Sequence, residues 1–243
     1  MNRLTLWRRF ALALLMVVTF ANLHDGTTVA RRQVATPTAY TCDTAYTSVA
    51  GTPMAGMDQS GMDMATPAAS VEFDQLYIDM MIPHHTSIVA LAEAALPRLE
   101  DERLRTLAET IIGAQTTEIE ELRGYREQFY GNPEPMPMDE QAMMQMLPGM
   151  TMPMDAMMAQ MDAATQVATF CAAADPDLAF IDLTIPHHQS AIQASAVALS
   201  QPTHAEIRAF AERVIEDQRR EIDQLGAIRL ELYGSATPEA VGG

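Results

Sequence analysis

The sequence predicts an all-α protein, an antiparallel four-helix bundle made of two duplicated αα-hairpins. Three observations carry this expectation. The tetrapeptide Ile-Pro-His-His stands at 82–85 and again at 185–188. Sliding residues 73–131 over 176–234, an offset of 103, gives 21 identities in 59 ungapped positions. Apolar residues recur within the copies at the 3.6-residue period of a helix with one buried face. Positions held identical in both copies while their neighbours drifted are the best candidates for a shared role.

Residues 1–30 join Arg3, Arg8 and Arg9 to an apolar run from Phe10 to Ala21 and a small, polar end at Thr28-Val29-Ala30. That is the layout of a secretory signal peptide. The run is about a dozen residues, short of the ~20 that a membrane-spanning helix needs. The protein is therefore expected to be exported, periplasmic or extracellular, touching a membrane only through an uncleaved signal. Residues 31–71, rich in Thr, Pro, Gly and Ala, read as a flexible tail.

The first hairpin, 72–131, is expected to run as a helix Glu72–Leu96, a turn at Pro97–Asp101 and a helix Glu102–Tyr130 stopped by Gly131. Residues 132–174, interrupted by Pro133, Pro135, Pro137, Pro148 and Pro153, read as an irregular Met-rich crossover. The second hairpin, 175–234, repeats the pattern with Asp177–Leu199, a turn at Ser200–Thr203, and His204–Tyr233 closed by Gly234. Residues 235–243 are expected to be disordered. One hairpin alone would leave its apolar stripe wet, so 72–234 should form one bundle with pseudo-twofold symmetry.

The formal net charge is −17, and all 15 basic residues are Arg. Without residues 1–30 the chain keeps 12 positive and 31 negative side chains, a net charge of −19. Nucleic acid is excluded as a partner on this ground, because phosphate contacts need a basic face. The two cysteines, Cys42 and Cys171, are not related by the offset. Export permits a disulfide between them, tying the tail to the segment before the second hairpin. Two thiols that assist a soft metal are the alternative.

The candidate chemistry interrupts the apolar stripes. Leu104, Ile111 and Glu118 are successive heptad steps, each drifting only about 20° around the helix, so a carboxylate points nearly where core residues do. Gln115 is its neighbour on that side, and Gln218 and Glu221 repeat the arrangement. A buried carboxylate needs a partner. The obvious partners are His84 and His85 in one copy and His187 and His188 in the other. Met81 lies three and four residues before the first pair, whereas Thr184 holds that place in the second, so the half-sites are not chemically equal. Pro83 and Pro186 inside these helices predict a kink that aims the imidazoles, unless each helix begins there. Asp79 and Asp182 are expected as helix caps or as outer acceptors that fix a histidine tautomer, with Gln115 and Gln218 in the same supporting shell.

Imidazoles and carboxylates converging in a bundle core make a metal site the leading expectation, with His84, His85, His187, His188, Glu118, Glu221 and Met81 as ligands. A buried polar network that sets helix register without metal is the alternative. The methionines favour metal. Met54, Met57, Met62 and Met64 lie in the tail, and Met136, Met138, Met143, Met144, Met146, Met150, Met152, Met154, Met157, Met158 and Met161 crowd the crossover, at spacings that let two thioethers reach one ion. Thioether sulfur selects Cu(I) and Ag(I) over Zn or Fe. An amphipathic Met-rich helix packed on the bundle is the competing reading of the crossover.

The run Phe73 to Ile88, containing Ile-Asp-Met-Met-Ile-Pro-His-His, followed by Gln115-x-x-Glu118-Ile119, resembles the exported bacterial family known as the domain of unknown function 305. The second copy spans Asp177 to Ile192 with Gln218-x-x-Glu221-Ile222. The resemblance implies a ferritin-like bundle, and association of some relatives with periplasmic copper binding and tolerance. Its histidine positions map onto His84, His85, His187 and His188, and its glutamates onto Glu118 and Glu221. No Glu-x-x-His pair of the di-iron type occurs on these helices, and no nucleophile with a supporting base is evident. The expectation is thus an exported protein that captures or buffers copper, with metal ions and another exported copper-handling protein as partners. A cuprous oxidase built on the same site and a metal-free structural or partner-binding bundle are the alternatives.

Overall fold

A computed structural model of the chain describes residues 41–42, 72–138, 142–144, 153–201 and 203–238. The chain divides into two units, Met1–Pro37 and Thr38–Gly243, and every described residue belongs to the second. Its helices are α1 (Phe73–Ala95), α2 (Glu102–Tyr130), α3 (Met154–Met161), α4 (Ala163–Ala172), α5 (Pro176–Ser200) and α6 (Ala205–Tyr233), with no strand among the described residues.

Local chemistry sets the ends. The Asp101 carboxylate accepts the backbone N–H of Arg103 before α2, and Asp175 accepts that of Leu178 before α5, where Pro176 opens the helix. Gly131 and Gly234 close α2 and α6 at φ 74° and 79°, the left-handed conformation that costs glycine nothing. The two prolines do not start helices. Pro83 and Pro186 lie inside α1 and α5, which continue through them.

The hairpins α1–α2 and α5–α6 pack side by side, with α1 against α5 and α2 against α6. The histidine-bearing helices cross antiparallel, since His84 meets Ser190 and Ser87 meets His187. Two apolar cores lie along the bundle. One joins Tyr77, Ile78, Met81, Leu122, Ile207 and Phe210, and the other joins Ile88, Leu91, Leu104, Ile111, Phe180 and Leu225. Each end draws on both hairpins, as pseudo-twofold symmetry requires.

The crossover departs from the irregular segment expected for 132–174. Asp162 accepts the backbone N–H of Thr165 and caps α4, and both α3 and α4 pack on α1. Met143 and Met157 are buried in the first core, while Met136, Met144 and Met158 are exposed. The packed-helix reading therefore holds for residues 154–172, because α1 presents an apolar face that neither α2 nor α5 covers.

Cys42 and Cys171 form a disulfide that closes 129 residues of sequence. The segment 43–71, expected as part of a flexible tail, lies outside the described residues. Two contacts involve the residues that follow α6. Arg229 Nη1 donates to the Ser235 carbonyl, and the Ala236 carbonyl lies over Gly226. Residues 1–30 and 239–243, and Met54, Met57, Met62, Met64, Met146, Met150 and Met152, lie outside the described residues.

Candidate metal centre

Between the two apolar cores runs a polar layer centred on the α1–α5 crossing. The His84 and His187 rings lie 3.8 Å apart, centroid to centroid, across the pseudo-twofold axis. His84 Nε2 contacts Ser190 Oγ at 2.8 Å, and His187 Nε2 contacts Ser87 Oγ at 2.9 Å. Both serines also meet acceptors. Ser87 donates toward the His84 carbonyl at 2.7 Å and the Gln160 carbonyl, and Ser190 toward the His187 carbonyl and Gln160 Oε1, both at 2.7 Å.

This arrangement assigns the tautomer by counting protons. A hydroxyl has one proton, and each serine spends it on an oxygen. The imidazole must then be the donor, with its proton on Nε2. Burial holds both His84 and His187 well below their ordinary pKa near 6.5, helped by the neighbouring imidazoles, so the rings are neutral. Their Nδ1 atoms keep bare lone pairs, and both are buried without a hydrogen-bond partner.

Outside this central pair lie two imidazole–carboxylate pairs. His188 Nε2 meets Glu221 Oε2 at 2.7 Å. His85 Nε2 lies 3.0 Å from Glu118 Oε2, at ion-pair distance but without hydrogen-bond alignment. Both rings are fully buried, while the Glu118 and Glu221 side chains are 14% and 10% exposed. Each carboxylate therefore links a dry imidazole to the edge of solvent. Gln115 and Gln218 are buried one turn away on the same helices, and neither end of either carboxamide has a partner. Met81 is fully buried in the first core.

Two expected roles are corrected. Asp79 and Asp182 serve no histidine and cap no helix. Asp79 binds Arg126 through both carboxylate oxygens, and Asp182 binds Arg229 in the same way. Arg126 Nη1 then reaches the Asn132 carbonyl, as Arg229 does that of Ser235. The bidentate guanidinium fork matches both carboxylate oxygens, which a single imidazole nitrogen does not. The cysteines hold each other, so no thiol is left to assist a soft metal.

The sequence reading missed Arg126, Arg229, Ser87, Ser190 and Gln160. The first four carry a visible signal, identity across the 103-residue offset. Gln160 has no counterpart in either repeat and gives none. Among the described residues, no group of three or more His, Cys, Asp or Glu is arranged to hold a metal ion. The layer fits a metal in its chemistry, with neutral imidazoles, open Nδ1 atoms and unpaired carboxamides, and any ion there would draw further donors from other residue types.

A helical bundle with a duplicated, buried layer of histidine, glutamate and serine is the class that fold and site define. Residues 28–126 and 74–229 match the domain of unknown function DUF305, and the chain belongs to that family. Among solved structures, CopM in the Cu(I)-bound form is similar at 28% identity and a TM-score of 0.52, over 66% of this chain and 98% of that one. CopM in the Cu(II)-bound form is similar at 28% identity and a TM-score of 0.50, over 66% and 97% of the two chains. A putative secreted DUF305 protein from Streptomyces coelicolor shares the fold at 20% identity and a TM-score of 0.55, over 70% of this chain and 98% of that one. No curated protein matches the sequence. No helix among the described residues is long and apolar enough to cross a membrane.

Proposed function

We propose that this is an exported copper-binding protein that captures or buffers the ion, with the His/Glu layer as its rigid site and the methionines as weaker collectors. The observation that carries the reading is the layer itself, with two buried imidazoles and one carboxylate kept in each copy. Burying such groups is costly. Neutral imidazole is the ligating form, so His84 and His187 need lose no proton before binding. Imidazole suits copper in either oxidation state and thioether suits Cu(I). The likeness to CopM with Cu(I) and with Cu(II) supports copper as the ion. The ion is cargo, and another exported copper-handling protein is the partner this role implies.

A metal-free reading has its own supporting observation. The Nε2 atoms of His84 and His187 are already bonded to serines. On that reading the layer fixes the register of α1 against α5.

Anaerobic Cu(I) titration of the full chain against a competing chelator, with Cu(II) in parallel, separates the two. Alanine at His84, His85, His187 and His188 together should remove the tight binding and keep the weak. Leucine at the exposed Met136, Met144 and Met158 should remove weak Cu(I) binding only. A folded variant without these histidines that holds copper as tightly as the parent chain removes the layer as the copper site and leaves the network, and a parent chain that competes for neither ion sinks the copper reading.

A further inference from the structure

The two halves of the layer differ at one buried position. Met81 precedes the histidines of α1 and Thr184 those of α5, and both side chains are fully buried. Each lies four residues before His85 or His188, hence on the same helix face. Side chains in a helix lean toward its N-terminus, which brings each imidazole over that neighbour.

Thr184 is unusual among the helical threonines here. Thr86, Thr106, Thr110, Thr117 and Thr169 each donate to the carbonyl four residues back. The Thr184 hydroxyl makes no hydrogen bond, although its side chain is shut off from water. An unpaired buried hydroxyl costs about 1–3 kcal/mol, and this one stands open to a ligand. Gln115 and Gln218 are unpaired in both halves and so do not distinguish them.

Each half supplies one outer imidazole and one carboxylate, two donors of the usual kinds. The next donor on the same face is a thioether in one half and a hydroxyl in the other. Thioether sulfur is soft and uncharged and favours Cu(I) or Ag(I), whereas hydroxyl oxygen is hard and favours Cu(II). Resting on the copper reading above, we infer that the halves are selective for different oxidation states of one metal. The half with Met81, His85 and Glu118 takes Cu(I), and the half with Thr184, His188 and Glu221 takes Cu(II).

The test uses the full chain, with Ag(I) as a redox-inert probe of the soft half and Cu(II) as probe of the hard one. Imidazole NMR signals should shift first at His85 on adding Ag(I), and broaden first at His188 on adding Cu(II). Met81→Leu keeps the volume and removes the sulfur. It should weaken Ag(I) binding at His85 by about tenfold or more, the usual scale for a change beside a metal ligand, and leave Cu(II) alone. Thr184→Val should do the converse. Thr184→Met decides even if those variants fail to fold, since it must create a second Ag(I) response at His188. Equal responses of His85 and His188 to both ions, or Ag(I) binding blind to all three variants, overturns the inference while the copper reading stands. No response of any imidazole to either ion overturns both.

Discussion

At the scale of single residues, the layer stores its cost in histidines that must stay neutral. His84 and His187 have folded-state pKa values well below their ordinary value near 6.5, chiefly through burial. The unfolded chain therefore binds protons that the folded one refuses. Stability from this source is complete above about pH 6.5 and is lost as pH falls from there toward the lower folded values. With 1.36 kcal/mol per pKa unit per group, the metal-free protein should lose about 2–3 kcal/mol between pH 7.5 and 5.5. Urea unfolding at the two pH values measures this, and the His84→Gln/His187→Gln variant should flatten the difference. Much of the layer could be read from sequence. Glu118 betrays itself by occupying a core heptad step, and the histidines by their repetition. The Arg126–Asp79 pair went unread because the two residues are 47 apart and only packing brings them together.

At the scale of elements, α3 makes the symmetric layer asymmetric. Gln160 touches both halves, accepting from Ser190 at its side chain and from Ser87 at its backbone carbonyl. An eight-residue helix is too short to hold itself in water, so its position depends on these bonds and on the burial of Met157. Gln160→Ala should cost about 1 kcal/mol, the loss of one buried hydrogen bond, since Ser190 keeps the His187 carbonyl and His84. Faster amide exchange confined to residues 154–161 is the signature to look for. Unchanged exchange there removes Gln160 as the latch. The long helices needed no such help to be foreseen. Gly131 and Gly234 announce ends that the structure keeps, and α2 spans Glu102–Tyr130 as the sequence suggests. The crossover deceived because proline-broken sequence reads as irregular, while the face that recruits α3 and α4 belongs to α1.

At the scale of the whole molecule, the symmetry is mechanical as well as chemical. Asp74 at the start of α1 accepts the backbone N–H of His204 before α6, and Asp177 at the start of α5 accepts those of Glu100 and Asp101 before α2. Each hairpin thus pins the turn of the other, which keeps the α1–α5 crossing, and so the His84–His187 contact, in register. The Cys42–Cys171 disulfide has no symmetric counterpart. It lies beside Arg98, which donates to the Cys171 carbonyl and stacks over Phe170. A loop of this length should contribute about 2–5 kcal/mol by restricting the unfolded chain. Thermal melts of the Cys42→Ser/Cys171→Ser pair should show that loss, with the helical content of the folded state unchanged. A variant as stable as the parent would mean that α4 is held by packing alone.

Sequence by itself determined the four long helices, the duplication and the identity of most groups in the layer. These follow from short-range rules, a 3.6-residue period, caps, glycine stops, and the persistence of identities at one offset. Tertiary structure alone decided which groups meet. Antiparallel crossing of α1 and α5 set serine against histidine and so fixed the tautomer. Packing of each long helix pair gave Asp79 to Arg126 and Asp182 to Arg229. A bare apolar face on α1 drew in α3 and with it Gln160. Those outcomes depend on distances between residues tens of positions apart, which a local pattern in the chain does not encode.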